Sequence, residues 1–82
     1  MTNNVIYTKD LCPFCDAAKN FFKTYNLPYT ELKLGSDFKR EEFLEKFGDG
    51  STYPQIYVWG KHVGGFDALL DYADETNILS GT

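Results

Sequence analysis

Cysteine is scarce in this chain and histidine scarcer: there are two of the first and one of the second among 82 residues. A structural zinc site draws on four ligands, so Cys12, Cys15 and His62 do not furnish one within a single chain, and no resident metal is expected. A metal or cluster bridging two chains stays open. Basic residues are in deficit, with 8 Lys and Arg against 12 Asp and Glu for a net charge of −4. That argues against general nucleic-acid binding, because a phosphate backbone selects for Lys and Arg. No apolar run approaches the roughly 18 residues of a membrane span. The polar opening Met1-Thr2-Asn3-Asn4 does not resemble a secretory leader either. The compartment expected is therefore cytoplasmic and reducing, where a lone Cys-x-x-Cys is more often catalytic or metal-binding than a structural staple. Internal repeats, linkers and low-complexity stretches are also missing, so residues 1–82 are expected to form a single domain.

Against these absences stands a content of 43% hydrophobic and 17% aromatic residues, enough for a packed core. Val5-Ile6-Tyr7-Thr8 reads as a buried strand. Pro13 suits the first position of a helix, where a missing N–H costs nothing. Phe14, Ala17, Ala18, Phe21, Phe22 and Tyr25 follow in steps of three and four, one face of that helix, and Asn26-Leu27-Pro28 ends it. Tyr29 to Leu34 reads as a second strand. Asp37 is placed to cap a second helix with Phe43, Leu44 and Phe47 as its apolar stripe, stopped at Gly48. Ser51-Thr52-Tyr53-Pro54 is a turn before a third strand, Gln55-Ile56-Tyr57-Val58. Trp59-Gly60 links it tightly to a short fourth strand, Lys61-His62-Val63, with Trp59 as a packing residue of the hairpin. Phe66, Leu69, Leu70 and Ala73 place a third helix running to about Thr76, and the tail from Asn77 to Thr82 is weakly specified. The order is β-α-β-α-β-β-α: an α/β fold with a parallel pair across the first helix and a hairpin later.

The two cysteines gain meaning from this context. They lie three apart in Cys12-Pro13-Phe14-Cys15, at the junction of a strand and a helix. A thiol attacks only as the thiolate, and its ordinary pKa of about 8.5 leaves it mostly protonated near neutrality. Cys-x-x-Cys thiols at helix starts ionise far lower, at roughly 3.5–7.5. Lowering such a thiol by about three takes roughly 4 kcal/mol, of which a helix dipole supplies at most about 2. Hydrogen bonds must therefore contribute. Pro13 has no N–H, so the donors expected are the amides of Phe14 and Cys15 and the Cys15 thiol, with Lys9 as the nearby cation and Asp10 and Asp16 opposing it. On this reading Cys12 is the exposed nucleophile and Cys15 the more buried resolving thiol. Two inert thiols on one helical turn would be the bland alternative; Pro13 between them argues against it.

Two further motifs stand later in the chain. Thr52-Tyr53-Pro54 precedes a strand, where an X–Pro bond can be cis and leave the Tyr53 main chain free to pair with an extended peptide. Gly64-Gly65-Phe66-Asp67 opens a helix, whose free amides bind carboxylates; Asp67 can cap that helix or pair with an ammonium group. Taken alone, each motif also fits a plain strand-initiating proline or a glycine turn.

Together with Tyr7-Thr8-Lys9, these motifs resemble the glutaredoxin family, in order and at fitting intervals, from about Val5 to Ala73. The resemblance implies a thioredoxin-like fold, a four-stranded mixed sheet flanked by three helices. It implies a glutathione-dependent oxidoreductase acting on protein disulfides and glutathionylated proteins as a monomer, with no bound organic cofactor and glutathione as co-substrate; ribonucleotide reductase is one substrate consistent with the family. Position by position, Cys12 takes the glutathionyl group and Cys15 resolves the mixed disulfide. Lys9 meets the glycyl carboxylate, and Tyr53 pairs its main chain with the cysteinyl residue beside a cis Pro54. The amides of Phe66 and Asp67, next to Gly65, hold the γ-glutamyl carboxylate, the Asp67 side chain holds its ammonium, and Phe14 and Thr52 line the groove. Lys39 or Arg40 is a further candidate for a carboxylate. Three departures from the family pattern stand out: Phe14 where Tyr is common, Tyr53 where Val is common, and Ala68 where a polar residue often stands. The dithiol motif separates the chain from monothiol members. Two other functions are weighed: a thioredoxin-like electron donor served by a flavoprotein reductase, disfavoured by Leu11 and Pro13-Phe14, and a carrier of a glutathione-ligated iron–sulfur cluster, disfavoured by Pro13. His62 reads as an exposed hairpin residue without a catalytic role.

Overall fold

The side chains of Val5, Ile6, Tyr7 and Thr8 alternate between the two faces of the first strand, β1 (Val5–Thr8), and only Ile6 and Thr8 are fully buried. In the computed structural model, which describes residues 3–76, β1 lies inside a four-stranded sheet of order β2-β1-β3-β4. Its neighbours are β2 (Thr30–Lys33), which is parallel, and β3 (Gln55–Val58), which is antiparallel; β3 pairs in turn with β4 (Lys61–Gly64). The helices α1 (Pro13–Thr24), α2 (Arg40–Phe47) and α3 (Phe66–Thr76) complete the expected β-α-β-α-β-β-α order. The tail from Asn77 to Thr82 lies outside the described residues. Among the described residues no helix is long and apolar enough to cross a membrane.

The two faces of the sheet are built differently. On one, Ile6, Ile56 and Val58 pack against Ala18, Phe21 and Phe22 of α1 and Leu69 and Ala73 of α3, forming the aliphatic and aromatic core. On the other, α2 stands off the strands: among the described residues none of its Cα atoms lies within 8 Å of one in another strand or helix. Rings fill the gap. Tyr7 meets Phe38 at 5.2 Å and Phe47 at 5.1 Å, and Phe43 lies 4.9 Å from Phe47 and 4.1 Å from Tyr53, stacked at 11° on the latter. Phe43 is the fully buried residue of α2.

The element boundaries follow local chemistry. α1 ends where Asn26 takes a left-handed φ of 55° and the Leu27 N–H donates to the Phe22 carbonyl at 2.8 Å. Asp37 does not cap α2, contrary to expectation. Its carboxylate accepts from the Lys33 N–H at 2.8 Å and closes the turn after β2, so α2 begins only at Arg40, where Glu42 reaches back to the Lys39 N–H at 2.8 Å. Trp59 is less buried than a packing residue of the hairpin would suggest. It is half exposed and, with Gly60, takes positive φ (51° and 85°), the hairpin conformation whose twist matches the strands. Asn4, read only as part of a polar start, is fully buried: its amide donates to the Pro28 carbonyl at 2.9 Å and its oxygen accepts the Trp59 N–H at 2.8 Å, tying two connections to the foot of β1.

Candidate active site

Cys12 ends the loop after β1 and caps α1. Its extended backbone (φ −127°, ψ 96°) is that of an N-cap, and Pro13 begins the helix as its φ constraint favours. Cys12 and Cys15 are joined as a disulfide, with Cα atoms 5.2 Å apart. Of the two amides expected to serve the Cys12 sulfur, that of Cys15 does so, donating to Sγ at 3.2 Å; the other, Phe14, gives no such bond. The sulfur thus lies where helix amides and dipole favour negative charge. Cys12 is 8% exposed and Cys15 1%. The order is the one expected, but in the disulfide state Cys12 is far less open than the sequence suggests.

The loop bearing Cys12 is held at several points. The Leu34 N–H donates to the Thr8 carbonyl at 2.9 Å, and the Asp10 carboxylate meets the Lys33 ammonium at 2.7 Å; that contact raises the Lys33 pKa above its ordinary value. Below the loop lies a polar network with no signature in the sequence. The buried Thr8 hydroxyl donates to Glu31 at 2.6 Å, and Lys19, one turn beyond Cys15, bridges Glu31 at 3.2 Å and Asp16 at 3.6 Å. The Thr8 hydrogen bond is the main reason the Glu31 carboxyl ionises below its ordinary value; burial opposes it, and Lys19 adds to it. Lys19 is raised although burial works against its charge, because Glu31 and Asp16 outweigh that penalty.

The peptide bond between Tyr53 and Pro54 is cis, and Tyr53 sits outside the β1–β3 ladder, which begins at Gln55. Pro54 is buried, and its carbonyl lies 3.8 Å from where a Cβ on Gly65 would stand, so the start of α3 is set against the proline. Gly64 holds a φ of 114° that side-chain-bearing residues rarely adopt, and a Cβ there would meet the Ala68 Cβ at 3.4 Å. Asp67 does not cap α3. It lies in the first turn, exposed, while the Leu69 N–H donates to the Gly65 carbonyl at 2.9 Å.

These pieces converge. Phe14, Thr52, Tyr53, Pro54, Gly65, Phe66 and Asp67 all line one groove of about 320 Å³, with Ala68 as its remaining wall. Phe14, 61% exposed on the first turn of α1, stands between the two cysteines in sequence and lines the groove, with its ring 6.4 Å from that of Phe66. Lys9 stands outside this groove, its ammonium 5.4 Å from the Tyr53 ring centroid, in an adjoining cavity of about 420 Å³ that it shares with Arg40, Ser51, Thr52 and Tyr53. Thr52 and Tyr53 thus form the wall between the two. The Tyr53 hydroxyl is buried with no hydrogen-bond partner, and burial raises its pKa, with Arg40 opposing the rise. His62 is exposed, bonded to Gln55 at 2.7 Å, and lines no part of the groove. A larger hollow of about 610 Å³ between α2 and the sheet touches neither cysteine. Among the described residues no three His, Cys, Asp or Glu side chains gather as a metal site.

Comparison with known proteins agrees with this geometry. The family model described as Glutaredoxin matches residues 4–63. Glutaredoxin 3 of Escherichia coli K12 is 40% identical over 70 residues, covering 84% of this chain and 83% of its own length. Glutaredoxin 1 of Rickettsia conorii is 40% identical over 74 residues, covering 87% and 72%. Among solved structures, Glutaredoxin 1 of Francisella tularensis, complexed with cacodylate, superposes with a TM-score of 0.75 at 31% identity over 89% of this chain and 93% of that one. Buckwheat glutaredoxin, solved as a glutathione complex, shares the fold with a TM-score of 0.77 at 22% identity, over 95% of this chain and 74% of that one. A thioredoxin-like sheet with a redox disulfide at the head of its first helix, matched along most of its length by these relatives, places the chain in the glutaredoxin family of thiol–disulfide oxidoreductases.

Proposed function

We propose that the protein is a glutathione-dependent oxidoreductase that reduces protein disulfides and glutathionylated proteins through Cys12 and Cys15. The observation that carries the reading is the helix-capping disulfide with Phe14, the residue between its two cysteines, lining one groove with the cis-proline and glycine-turn motifs. Glutathione fits that groove as a short extended peptide. Its cysteinyl backbone pairs with the Tyr53 main chain, its γ-glutamyl carboxylate meets the amides at the start of α3, and its ammonium meets Asp67. Its glycyl carboxylate reaches the adjoining cavity, where Lys9 and Arg40 supply the charge. Cys12 as thiolate attacks the substrate disulfide, and Cys15 then attacks the Cys12 sulfur, releases the reduced substrate and restores the disulfide. Two glutathione thiols return the pair to the dithiol state. Oxidised cytoplasmic proteins, ribonucleotide reductase among them, are the partners proposed, with the chain acting as a monomer.

The test is intact-mass spectrometry of reduced protein mixed with glutathione disulfide. Cys15→Ser is expected to accumulate one glutathione adduct and to keep deglutathionylating activity, while Cys12→Ser forms no adduct and has no activity. An adduct on Cys15 in the Cys12→Ser protein, or none in the Cys15→Ser protein, would overturn the assignment.

A further inference from the structure

Cys15 has to ionise before it can resolve a mixed disulfide, and it stands where ionisation is hard. It is 1% exposed, and burial holds a thiol in its neutral form. Its own amide serves the Cys12 sulfur, so the helix start favours the first sulfur as the anion. The charges nearest to Cys15 therefore decide how readily it reacts.

Lys19 follows Cys15 by four positions on α1, a spacing that stacks two side chains on one helical face with Cβ atoms about 5–6 Å apart. Asp16, next to Cys15 in the chain, lies 3.6 Å from the Lys19 ammonium, and Glu31 of β2 lies 3.2 Å from it. The Glu31 oxygen that meets Lys19 also accepts the Thr8 hydroxyl at 2.6 Å, which fixes the carboxylate in place. The Lys19 and Glu31 side chains are 25% and 32% exposed, so water screens their charges only in part. The cluster sets one cation against two carboxylates. Removing the cation and removing a carboxylate thus shift the local potential in opposite directions.

The other charges near the head of α1 are placed elsewhere. Lys9 lies over the Tyr53 ring, Asp10 is paired with Lys33, and Lys23 is exposed in the last turn of α1. Asp67, Asp71, Asp74 and Glu75 of α3 are exposed, and Tyr7 of β1 packs among the rings on the opposite face of the sheet.

We infer that Lys19 and Glu31 tune the resolving thiol: the ammonium promotes its ionisation, the carboxylate restrains it, and their balance sets how long a glutathionyl group stays on Cys12. The inference rests on the reading of Cys12 as nucleophile and Cys15 as resolver. In the step concerned, the Cys15 thiol gives its proton to water and its sulfur bonds to the Cys12 sulfur. The bond from Cys12 to glutathione breaks with its electron pair, and glutathione leaves as a thiolate that takes up a proton. One disulfide replaces another, with no net oxidation or reduction. A long-lived adduct is open to attack by a second glutathione, whereas a short-lived one closes to the Cys12–Cys15 disulfide. Lys19 and Glu31 act only through Cys15.

The experiment mixes reduced protein with glutathione disulfide across a range of pH and follows the adduct by acid quenching and intact-mass spectrometry. Adduct formation reports Cys12, and its decay to the intramolecular disulfide reports Cys15. A unit charge at this range, screened between protein and water, displaces a thiol by about one pKa unit. Tenfold less thiolate, partly offset by its greater nucleophilicity, slows attack about threefold. Lys19→Met is therefore expected to slow decay about threefold near neutral pH. Glu31→Gln, which keeps an oxygen for Thr8, is expected to speed it by the same factor. The rise of the decay rate with pH moves to higher pH in the first variant and to lower pH in the second. Lys19→Arg keeps the rate, and the double variant Lys19→Met with Glu31→Gln, which removes a neutral pair, returns to it. Decay slowed in both single variants, or unchanged in both, overturns the inference. So does a change in adduct formation as large as that in decay, which would place the effect on Cys12. These results leave the oxidoreductase reading standing, whereas no adduct in the unaltered protein at any pH overturns both.

Discussion

Replacing Tyr53 by phenylalanine deletes one oxygen and keeps the ring that stacks on Phe43 at 4.1 Å and lies under Lys9 at 5.4 Å. That oxygen is shielded from water and has no hydrogen-bond partner. An unmet buried polar group costs about 1–3 kcal/mol, and the phenylalanine protein escapes it with its packing intact. Tyr53→Phe is therefore expected to be more stable by about 1–2 kcal/mol, raising Tm by roughly 4–8 °C for each kcal/mol in a domain of this size. Titration supplies an independent arm. Burial raises the phenol pKa above its ordinary 10.0, with Arg40 opposing. The folded state thus holds the proton more tightly than the unfolded chain does. Through Tyr53 the unaltered protein loses stability as pH rises past 10.0 toward the raised value, so its alkaline decline is steeper than that of the variant, in which the raised Lys19 and Lys33 still contribute. Thermal unfolding of both oxidised proteins at neutral pH and again above pH 10 measures the two effects together. An equal or lower Tm for Tyr53→Phe at neutral pH would refute the reasoning by showing that the hydroxyl has a stabilising partner.

Two other perturbations address the parts that hold the site. Glu31 has a lowered pKa, owed first to the Thr8 hydroxyl and then to Lys19, so its contribution is present above the ordinary value of 4.5 and lost as pH falls through the lowered one. Urea unfolding of Glu31→Gln should accordingly show a weaker acid-side decline in midpoint than the unaltered protein, and parallel curves would exclude the network as a source of acid sensitivity. Phe43→Ala removes the 1%-exposed ring that touches Tyr53 and Phe47 and should cost about 3–5 kcal/mol by urea unfolding; a loss under about 1 kcal/mol would mean that the surrounding rings close the gap.

What the sequence displayed and what it concealed divide along physical lines. α1 and α3 were legible because Phe21, Phe22, Leu69 and Ala73 repeat at helical spacing and face one core. The redox pair and the two groove motifs were legible because Cys, Pro and Gly impose backbone or chemical constraints that survive without context. The start of α2 was not, since Asp37 suits a helix cap and a turn equally and only the nearby Lys33 N–H decides between them. The burial of Asn4 and the Thr8–Glu31–Lys19 network depend on residues that are 24 and 23 positions apart or joined across elements, and polar residues show no periodicity that would announce them. The unmet hydroxyl of Tyr53 was hidden for the same reason: burial of one atom depends on which rings close around it.

The stand-off of α2 has a mechanical consequence. A helix fastened through side-chain rings, with no strand or helix close to its backbone, is the segment whose amides should exchange with solvent before those of the sheet, as a cooperative unit. The sulfurs belong to the other half, carried by α1 and its N-cap on the face where α1 and α3 pack against the sheet. The side that yields first is therefore the one that carries Arg40 and backs Tyr53, while the α1 side that holds Cys12 and Cys15 keeps its packing.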